Sequence, residues 1–343
     1  RLKLYQAGGA MPLSDAVPAL EHFGFRVLAE VPTELTGDDG DTIHDFHLQL
    51  ADGDAAAPLL DRADAIEAAI VAVINGRAED DVFNRLVTGS ALVAGEADWL
   101  RAFYRYLRQT GLAFTIYTVV DALRGAPDVT RALVQLFRVR HDPAFAGDRD
   151  AGAQQQADAI TAGLAQVGAL NDDRLLRLYW ATINAVLRTN AFAPAGQDAL
   201  ALKLDSALVP GLPRPVPWRE IFVYSRRVEG IHLRAGPVAR GGLRWSDRRD
   251  DFRTEVLGLM KAQRVKNAVI VPTGAKGGFY PKQLPSPAVD RDAWFAEGKD
   301  SYKLFIRTLL SVTDNLQGGR TVHPEGIVIR DGADPYFVVA ADK

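Results

Sequence analysis

The chain has 343 residues, 48% hydrophobic and 24% charged, with a formal net charge of −3. That is core enough for two or three domains, and no uniform basic or acidic character marks a nucleic-acid or membrane-surface protein. Cysteine is absent, which excludes disulfides, thiolate metal sites and cysteine nucleophiles and fits a reducing cytoplasm. No apolar run approaches the ~18 residues a membrane span needs, and no charged-then-apolar leader is visible.

Residues 1–52 alternate strand and helix signals. A strand is predicted over 2–5 and a helix over 14–23, with Ser14 as its N-cap and Gly24 as its stop. Strands over 25–31 and 43–50 flank the turn-rich 36–40 segment. This βαββ order is part of a small α+β module. His44 and His47, in the last strand, lack a metal-ligand context and read as surface residues. A small-residue linker covers 51–58. The segment 53–190 is almost wholly helical, with three- and four-residue apolar spacing over 64–75, 78–87, 97–109, 114–123, 128–138, 151–167 and 172–187. Strands return over 199–204, 220–226 and 230–235, around a Pro-rich 209–217. A helix over 252–267, a strand over 268–271, a glycine loop, a helix over 294–314 and strands over 326–329 and 336–340 complete the third segment, 191–343. Strands alternating with long helices predict an α/β domain. The overall expectation is an α/β and α+β multidomain chain. It opens directly in strand pattern and closes just after an apolar run of the kind that leads into a loop and helix. A piece of a longer protein is therefore expected.

The charge is unevenly spread. Residues 226–282 hold thirteen Lys/Arg against five Asp/Glu, a local surplus of eight beside the glycine pairs Gly241-Gly242 and Gly277-Gly278. Such an island suits a small anion. On the helix 252–267 the apolar stripe Phe252, Val256, Leu259 and Met260 continues into Gln263 and Lys266. Those two polar groups either line a cleft that holds an anion or emerge into solvent. Gly274-Ala275-Lys276-Gly277-Gly278 is read as a glycine loop. A lysine held there among cations should have a lowered pKa and could act as acid, base or carbonyl polariser. The alternative is a flexible turn with a surface lysine. The spacing is not that of a phosphate-binding P-loop. Asp342 ends a buried-looking strand, where it could move protons or cap a helix.

The ordered set Arg240-Gly-Gly-Leu-Arg244, Gln263-x-x-Lys266 and Pro272-x-Gly-Ala-Lys276-Gly-Gly278 resembles the substrate domain of glutamate dehydrogenases. With Arg188-Thr-Asn190, Thr313-Asp-Asn315 and Ala340-Ala-Asp342-Lys343, the whole chain resembles the large-subunit, NAD-specific class. The resemblance implies a partial ACT-like βαββ module at 1–52, a helical segment at 53–190 and a glutamate-dehydrogenase-type α/β substrate domain at 191–343. It implies Lys276 and Asp342 as catalytic residues. Arg240, Gly241, Gly242, Gln263 and Lys266 would bind substrate, with the loop glycines Gly274, Gly277 and Gly278 around Lys276. Arg240 stands where common members have lysine, and one glycine is missing before Ala275. The implied reaction is oxidative deamination of L-glutamate to 2-oxoglutarate and ammonium with NAD as hydride acceptor. No Gly-x-Gly-x-x-Gly follows a strand, so no residue here is expected to bind NAD. The cofactor domain is expected beyond Lys343, and this chain alone is expected to turn nothing over. No metal is implied. A cytoplasmic homo-oligomer, tetramer or hexamer, is expected. The competing expectation is a regulatory or oligomerisation region without catalysis of its own. Asp247, Asp250, Asp251 and Glu255 interrupt the basic island and argue against nucleic acid.

Overall fold

The computed structural model describes residues 1–37, 40–50, 57–266, 273–335 and 337. The chain divides into two compact units, residues 1–101 with 114–131, and residues 102–113 with 132–343. Each is described by itself.

The first unit opens with β1 (Leu2–Gln6), α1 (Leu13–His22), β2 (Phe25–Glu34) and β3 (Thr42–Leu50). The strands form an antiparallel sheet of order β1-β3-β2. Period-two alternation buries Thr42, His44 and Phe46 on β3. Gly24, at a φ of +84°, lets the chain reverse from α1 into β2. Ser14 is not the cap of α1. The helix starts one residue earlier, after Pro12, whose fixed φ makes a ready entry, and the Ser14 hydroxyl turns to Asp15 instead. His44 is not a surface residue either. It is buried, its Nδ1 lies 2.7 Å from Glu30, and its Nε2 accepts from the Met11 amide at 3.0 Å. These two bonds assign the ring proton to Nδ1. The histidine thereby ties the α1 entry to the sheet.

The unit continues through α2 (Ala57–Leu60), α3 (Ala63–Ile74), α4 (Arg85–Gly89), the start of α5 (Ala94–Gln109), α6 (Ile116–Gly125) and the start of α7 (Pro127–His141). No helix spans 78–87. Asp81 instead caps a 3-10 turn at Val82–Asn84, accepting from the Phe83 amide at 2.9 Å. The buried Arg101 holds both Asp81 oxygens, at 3.0 and 2.9 Å, and Asn84 at 2.8 Å. Capping and an ion pair outweigh the apolar spacing there.

In the second unit the rest of α5 and α7 is joined by α8 (Arg149–Leu164) and α9 (Leu170–Ala185). The expected helix through Leu187 ends at Ala185. The chain then extends as β4 (Val186–Thr189), where Arg188 is drawn into an ion cluster described below. With β5 (Leu200–Asp205), β6 (Arg219–Tyr224), β7 (Val228–Arg234), β8 (Leu243–Trp245) and β9 (Ala275–Pro281), β4 forms a sheet of order β4-β5-β6-β7-β9-β8. All neighbours are antiparallel except β8 and β9, which are parallel. The sheet is therefore mixed. The helix-strand alternation that suggests parallel pairing holds only for the β8–α10–β9 crossover, α10 being Phe252–Lys266.

One face packs on α11 (Arg291–Leu310): Ala199, Ala201, Ile221, Val223, Val228 and Phe279 close on Phe305 and Leu309. Gly230 is required there, because a Cβ would overlap the Phe305 ring. The other face takes α10 and the second half of α5, where Tyr106 packs on Phe222 at 5.6 Å between ring centroids. Beyond α11 come the exposed hairpin strands β10 (Asn315–Gln317) and β11 (Arg320–Val322). The predicted strand at 326–329 is an irregular segment, its end fixed by ion pairs of Asp331 and Asp334 rather than by a ladder. The predicted strand 268–271, Asp342 and all of 336–340 except Phe337 lie outside the described residues.

Candidate functional site

Of the residues singled out by the sequence, Arg240, Gly241, Gly242, Gly274, Lys276 and Gly277 are brought together at the β8–α10–β9 crossover. Residues 274–277 are flanked on both sides. Toward β7, Lys276 pairs with Leu233 and Gly277 with His232. On the other side Arg240 bridges Gly274, the Ala275 amide donates to the Arg240 carbonyl at 3.1 Å, and the Gly277 amide donates to the Gly242 carbonyl at 3.1 Å. The 240–242 and 274–277 segments thus zip together in parallel, although more than 30 positions apart in sequence. Gly241 is obligatory in this zipper, since a Cβ there would fall on the Ala275 carbonyl oxygen.

The glycine loop of the sequence reading is corrected here. Gly277 and Gly278 lie inside the buried strand β9, and Gly274 sits at the bridge just before it. Their lack of a side chain serves packing. A Cβ on Gly277 would overlap Leu243, and one on Gly278 would come within 2.6 Å of Val256 on α10. The glycines let a helix and a neighbouring strand close on β9.

Parallel strands joined by one helix require that helix to run back between them, so α10 is antiparallel to β9. Val256 rests on Gly278. Seven residues further, ~10.5 Å along the axis on the same stripe, comes Gln263. Lys276 lies two residues from Gly278 in that same direction. Alternation puts Lys276, Leu233 and Gly278 on the face covered by α10. Gln263, half-buried, therefore overlies the Lys276 end of β9. Lys266 is the last residue of α10. Lys276 is only 4% exposed, and its pKa is lowered, first by burial and second by the Arg244 guanidinium. Arg240 is exposed, Gly241 half-buried and Gly242 buried. Asp342 lies outside the described residues.

Three buried ionic groups around this frame were given no role from the sequence, although Arg188 and Asp314 of the third lie in motifs quoted above. On the α10 face Glu220 binds Arg253 at 2.5 and 2.9 Å and accepts from the Tyr106 hydroxyl at 3.3 Å. Glu229 binds Arg105 at 3.0 Å and Lys282 at 3.4 Å. Arg253 is on the first turn of α10, so the Glu220 pair anchors the start of the helix that ends in Gln263 and Lys266. On the α11 face a longer chain runs Asp314–Arg188–Asp331–Lys203–Asp334–Arg234. Arg188 lies 2.6 Å from Asp314 and 2.5 Å from Asp331, and Lys203 lies 2.7 and 2.9 Å from Asp331 and Asp334. Arg234 also contacts Asp334. His323 adds a 2.7 Å contact to Asp314. Burial and Arg234 push the pKa of His232, beside them, down to about 3, so the ring is neutral. The available signal was a charged residue inside an apolar strand, as in Arg219-Glu-Ile-Phe-Val-Tyr224: such a residue must find a buried partner.

A cavity of about 480 Å³ lies elsewhere, in the first unit, walled by Leu2, Phe25, Leu48, Leu50, Ile66 and Ile70. Its mostly apolar walls offer nothing to polarise a carbonyl, and the chemistry points to Lys276 instead. Among the described residues no group of three or more His, Asp or Glu could hold a metal, and no helix is long and apolar enough to cross a membrane.

Residues 159–343 match the model of the bacterial NAD-glutamate dehydrogenase catalytic domain. The chain belongs to that family. Residues 78–143 match glutamate dehydrogenase helical motif 3, and residues 1–61 match the glutamate dehydrogenase ACT3 domain. The chain is 49% identical to the NAD-specific glutamate dehydrogenase of Halomonas elongata, the match covering 100% of this chain and 21% of that protein. It is 48% identical to the NAD-specific glutamate dehydrogenase of Pseudomonas aeruginosa over 99% of this chain and 22% of that protein. For that of Mycobacterium tuberculosis the figures are 44%, 100% and 22%. This member of the family thus spans about a fifth of the length of these curated relatives.

The NAD pyrophosphate needs a glycine-rich turn into a helix N-terminus. The turn Ser246–Asp251 before α10 has no glycine and sets Asp247, Asp250 and Asp251 there, so it does not have that form.

Proposed function

We propose that this chain supplies the substrate-binding half of an NAD-dependent L-glutamate dehydrogenase. The overall reaction is L-glutamate, water and NAD⁺ to 2-oxoglutarate, ammonium, NADH and a proton. The observation that carries this reading is the parallel zipper between 240–242 and 274–277 beneath α10. It joins two motifs, distant in sequence, at one buried lysine of lowered pKa. No single motif would distinguish a substrate cleft from a packed core.

In this reading Gln263 and Lys266 hold the substrate α-carboxylate, and Arg240 takes the γ-carboxylate through its two-pronged guanidinium. Lys276, its pKa lowered by burial and by Arg244, takes a proton from the water that adds to the imine-level α-carbon; as the carbonyl forms, the hydroxyl gives up its remaining proton and the amine departs. As an ammonium it polarises the 2-oxo group in the reverse direction. Asp342 moves the proton to and from the amine. The zipper and the Glu220–Arg253 clamp keep these groups fixed before substrate arrives, which lowers the reorganisation cost of the step. NAD, specified in the relatives' names, supplies the hydride acceptor. The protein acts as a homo-oligomer in the cytoplasm, with the 1–52 module as its ACT-like part.

The test is Lys276→Ala in the full-length enzyme, assayed by glutamate-dependent NADH formation. Loss of a positioned acid–base group lowers turnover by about 10²–10⁴-fold. Glutamate binding, measured by calorimetry, persists. Unchanged turnover in this variant would remove Lys276 from the chemistry and the proposal with it.

A further inference from the structure

We propose that Arg140, Arg149 and Arg330, with the buried His141 behind them, form a second anion site, a receptor for a small oxyanion of the phosphate or carboxylate type. All four residues belong to the second unit. The Arg140 guanidinium donates to the Asn184 carbonyl at 3.1 Å, and the Arg330 amide donates to the Leu187 carbonyl at 3.2 Å. The Arg140 side chain and the Arg330 backbone are thereby fastened to one short stretch, where α9 passes into β4. Arg149 donates to the carbonyls of Val139 and Asp142, each at 2.7 Å, and so brackets the Arg140-His141 pair. The charges of Arg140, Arg330 and Arg149 all act on the one buried imidazole of His141.

Their own protein does not neutralise them. Among the described residues no carboxylate makes an ion pair with Arg140, Arg149 or Arg330; the acid acting on them from nearby is the exposed Asp150. The buried Arg140 Nε and both ring nitrogens of His141 have no hydrogen-bond partner. Unsatisfied buried nitrogens are uncommon enough to call for a ligand, an ion or a water. The Arg188 cluster of the same unit shows the opposite arrangement, with Arg188 and Lys203 each set between two carboxylates. Like-charge crowding is visible in the side chains themselves. Burial first and Arg330 second push the Arg140 pKa down to about 10, burial lowers that of Arg330, and His141 is held neutral. A small oxyanion offers several acceptors to the planar forks and cancels the repulsion.

The site is independent of the Lys276 region. Arg330 is tied to β4, an edge strand, and four strand intervals, ~19 Å, separate β4 from β9. The probes are inorganic phosphate and succinate, titrated calorimetrically into the protein at constant ionic strength. Saturable binding is expected, and competition between the two probes ranks phosphate against carboxylate. Arg330→Gln should weaken it about tenfold or more, the cost of losing a charge-assisted contact. Arg330→Lys should restore part of it, and Lys276→Ala should leave it unchanged. No saturable binding of either probe, or equal affinity in Arg330→Gln, overturns the proposal. If the variant does not fold, the ring-nitrogen NMR signals of His141 in the unaltered protein decide. They should move on adding phosphate, and a fixed signal overturns the assignment.

Discussion

Lys203 and Lys276 are both buried lysines of the six-stranded sheet, in neighbouring rows on opposite faces. Lys203, on the α11 face, has Asp331 and Asp334 within 2.9 Å of its ammonium. Lys276, on the α10 face, feels burial and Arg244, and both act to remove its proton. A buried ammonium between carboxylates is locked in one charge state and can only hold structure. A buried ammonium pushed toward its neutral form can exchange a proton. In the proposed reading Lys203 is an anchor and Lys276 the reacting lysine of the same sheet.

Substituting the two groups should break this pairing unequally. Arg188→Met or Lys203→Met leaves buried aspartates without their cation, which costs about 3–5 kcal/mol. Lys276→Met removes a cation whose burial is unfavourable, so it should cost less than either. Denaturant unfolding of the three variants tests the contrast, and equal losses would mean that Lys276 is also an anchor. The same cluster predicts acid sensitivity. The Arg188 contacts hold Asp314 below its ordinary pKa, and Lys203 and Arg234 do so for Asp334. A carboxylate lowered in the folded state stabilises above its unfolded value, near 3.9, and loses that contribution as the pH falls further. Stability should therefore drop steeply below about pH 4, and Arg188→Met should flatten that slope.

Gly241→Ala tests the zipper with a smaller effect, about 1–3 kcal/mol. The added methyl meets the Ala275 backbone oxygen, which cannot rotate aside, whereas in Gly277→Ala it meets the tip of Leu243. Gly241→Ala should be the more harmful of the two for glutamate affinity and for stability. The reverse order would show that the 240–242 segment can part from β9 at little cost.

The difference between these glycines also marks what the sequence could reveal. The family resemblance placed Lys276, Gln263 and Arg240 together, whereas period alone assigned only Gln263 and Lys266 to a helix stripe. Gly274–Gly278 reads as a loop, because a glycine needed for a turn and one needed for close packing look alike until the neighbours, Leu243 and Val256, are known. His44 looked superficial for a related reason. Its burial depends on Glu30 and Met11, 14 and 33 positions away. Partners separated by that distance, like Arg188 and Asp314, leave only a trace in the local pattern, namely a charge where an apolar residue would suffice.

The smallest expected effect is the most specific to Lys276. Arg244 is half-exposed and pairs with Glu255 at 2.8 Å, so water and salt screen much of its field. Arg244→Gln removes a cation near Lys276 and frees Glu255 to act as a nearby negative charge. Both changes favour the ammonium, so the Lys276 pKa rises toward its ordinary value. If catalysis requires the neutral amine, the alkaline-going rise of kcat/KM moves to higher pH by less than about one unit, equivalent to ~1.4 kcal/mol at most. The shift should shrink as salt is added. An unmoved profile would mean either that burial alone sets the proton affinity of Lys276, or that another group titrates. Lys276→Ala distinguishes the two: residual activity that keeps the same pH limb assigns it to another group.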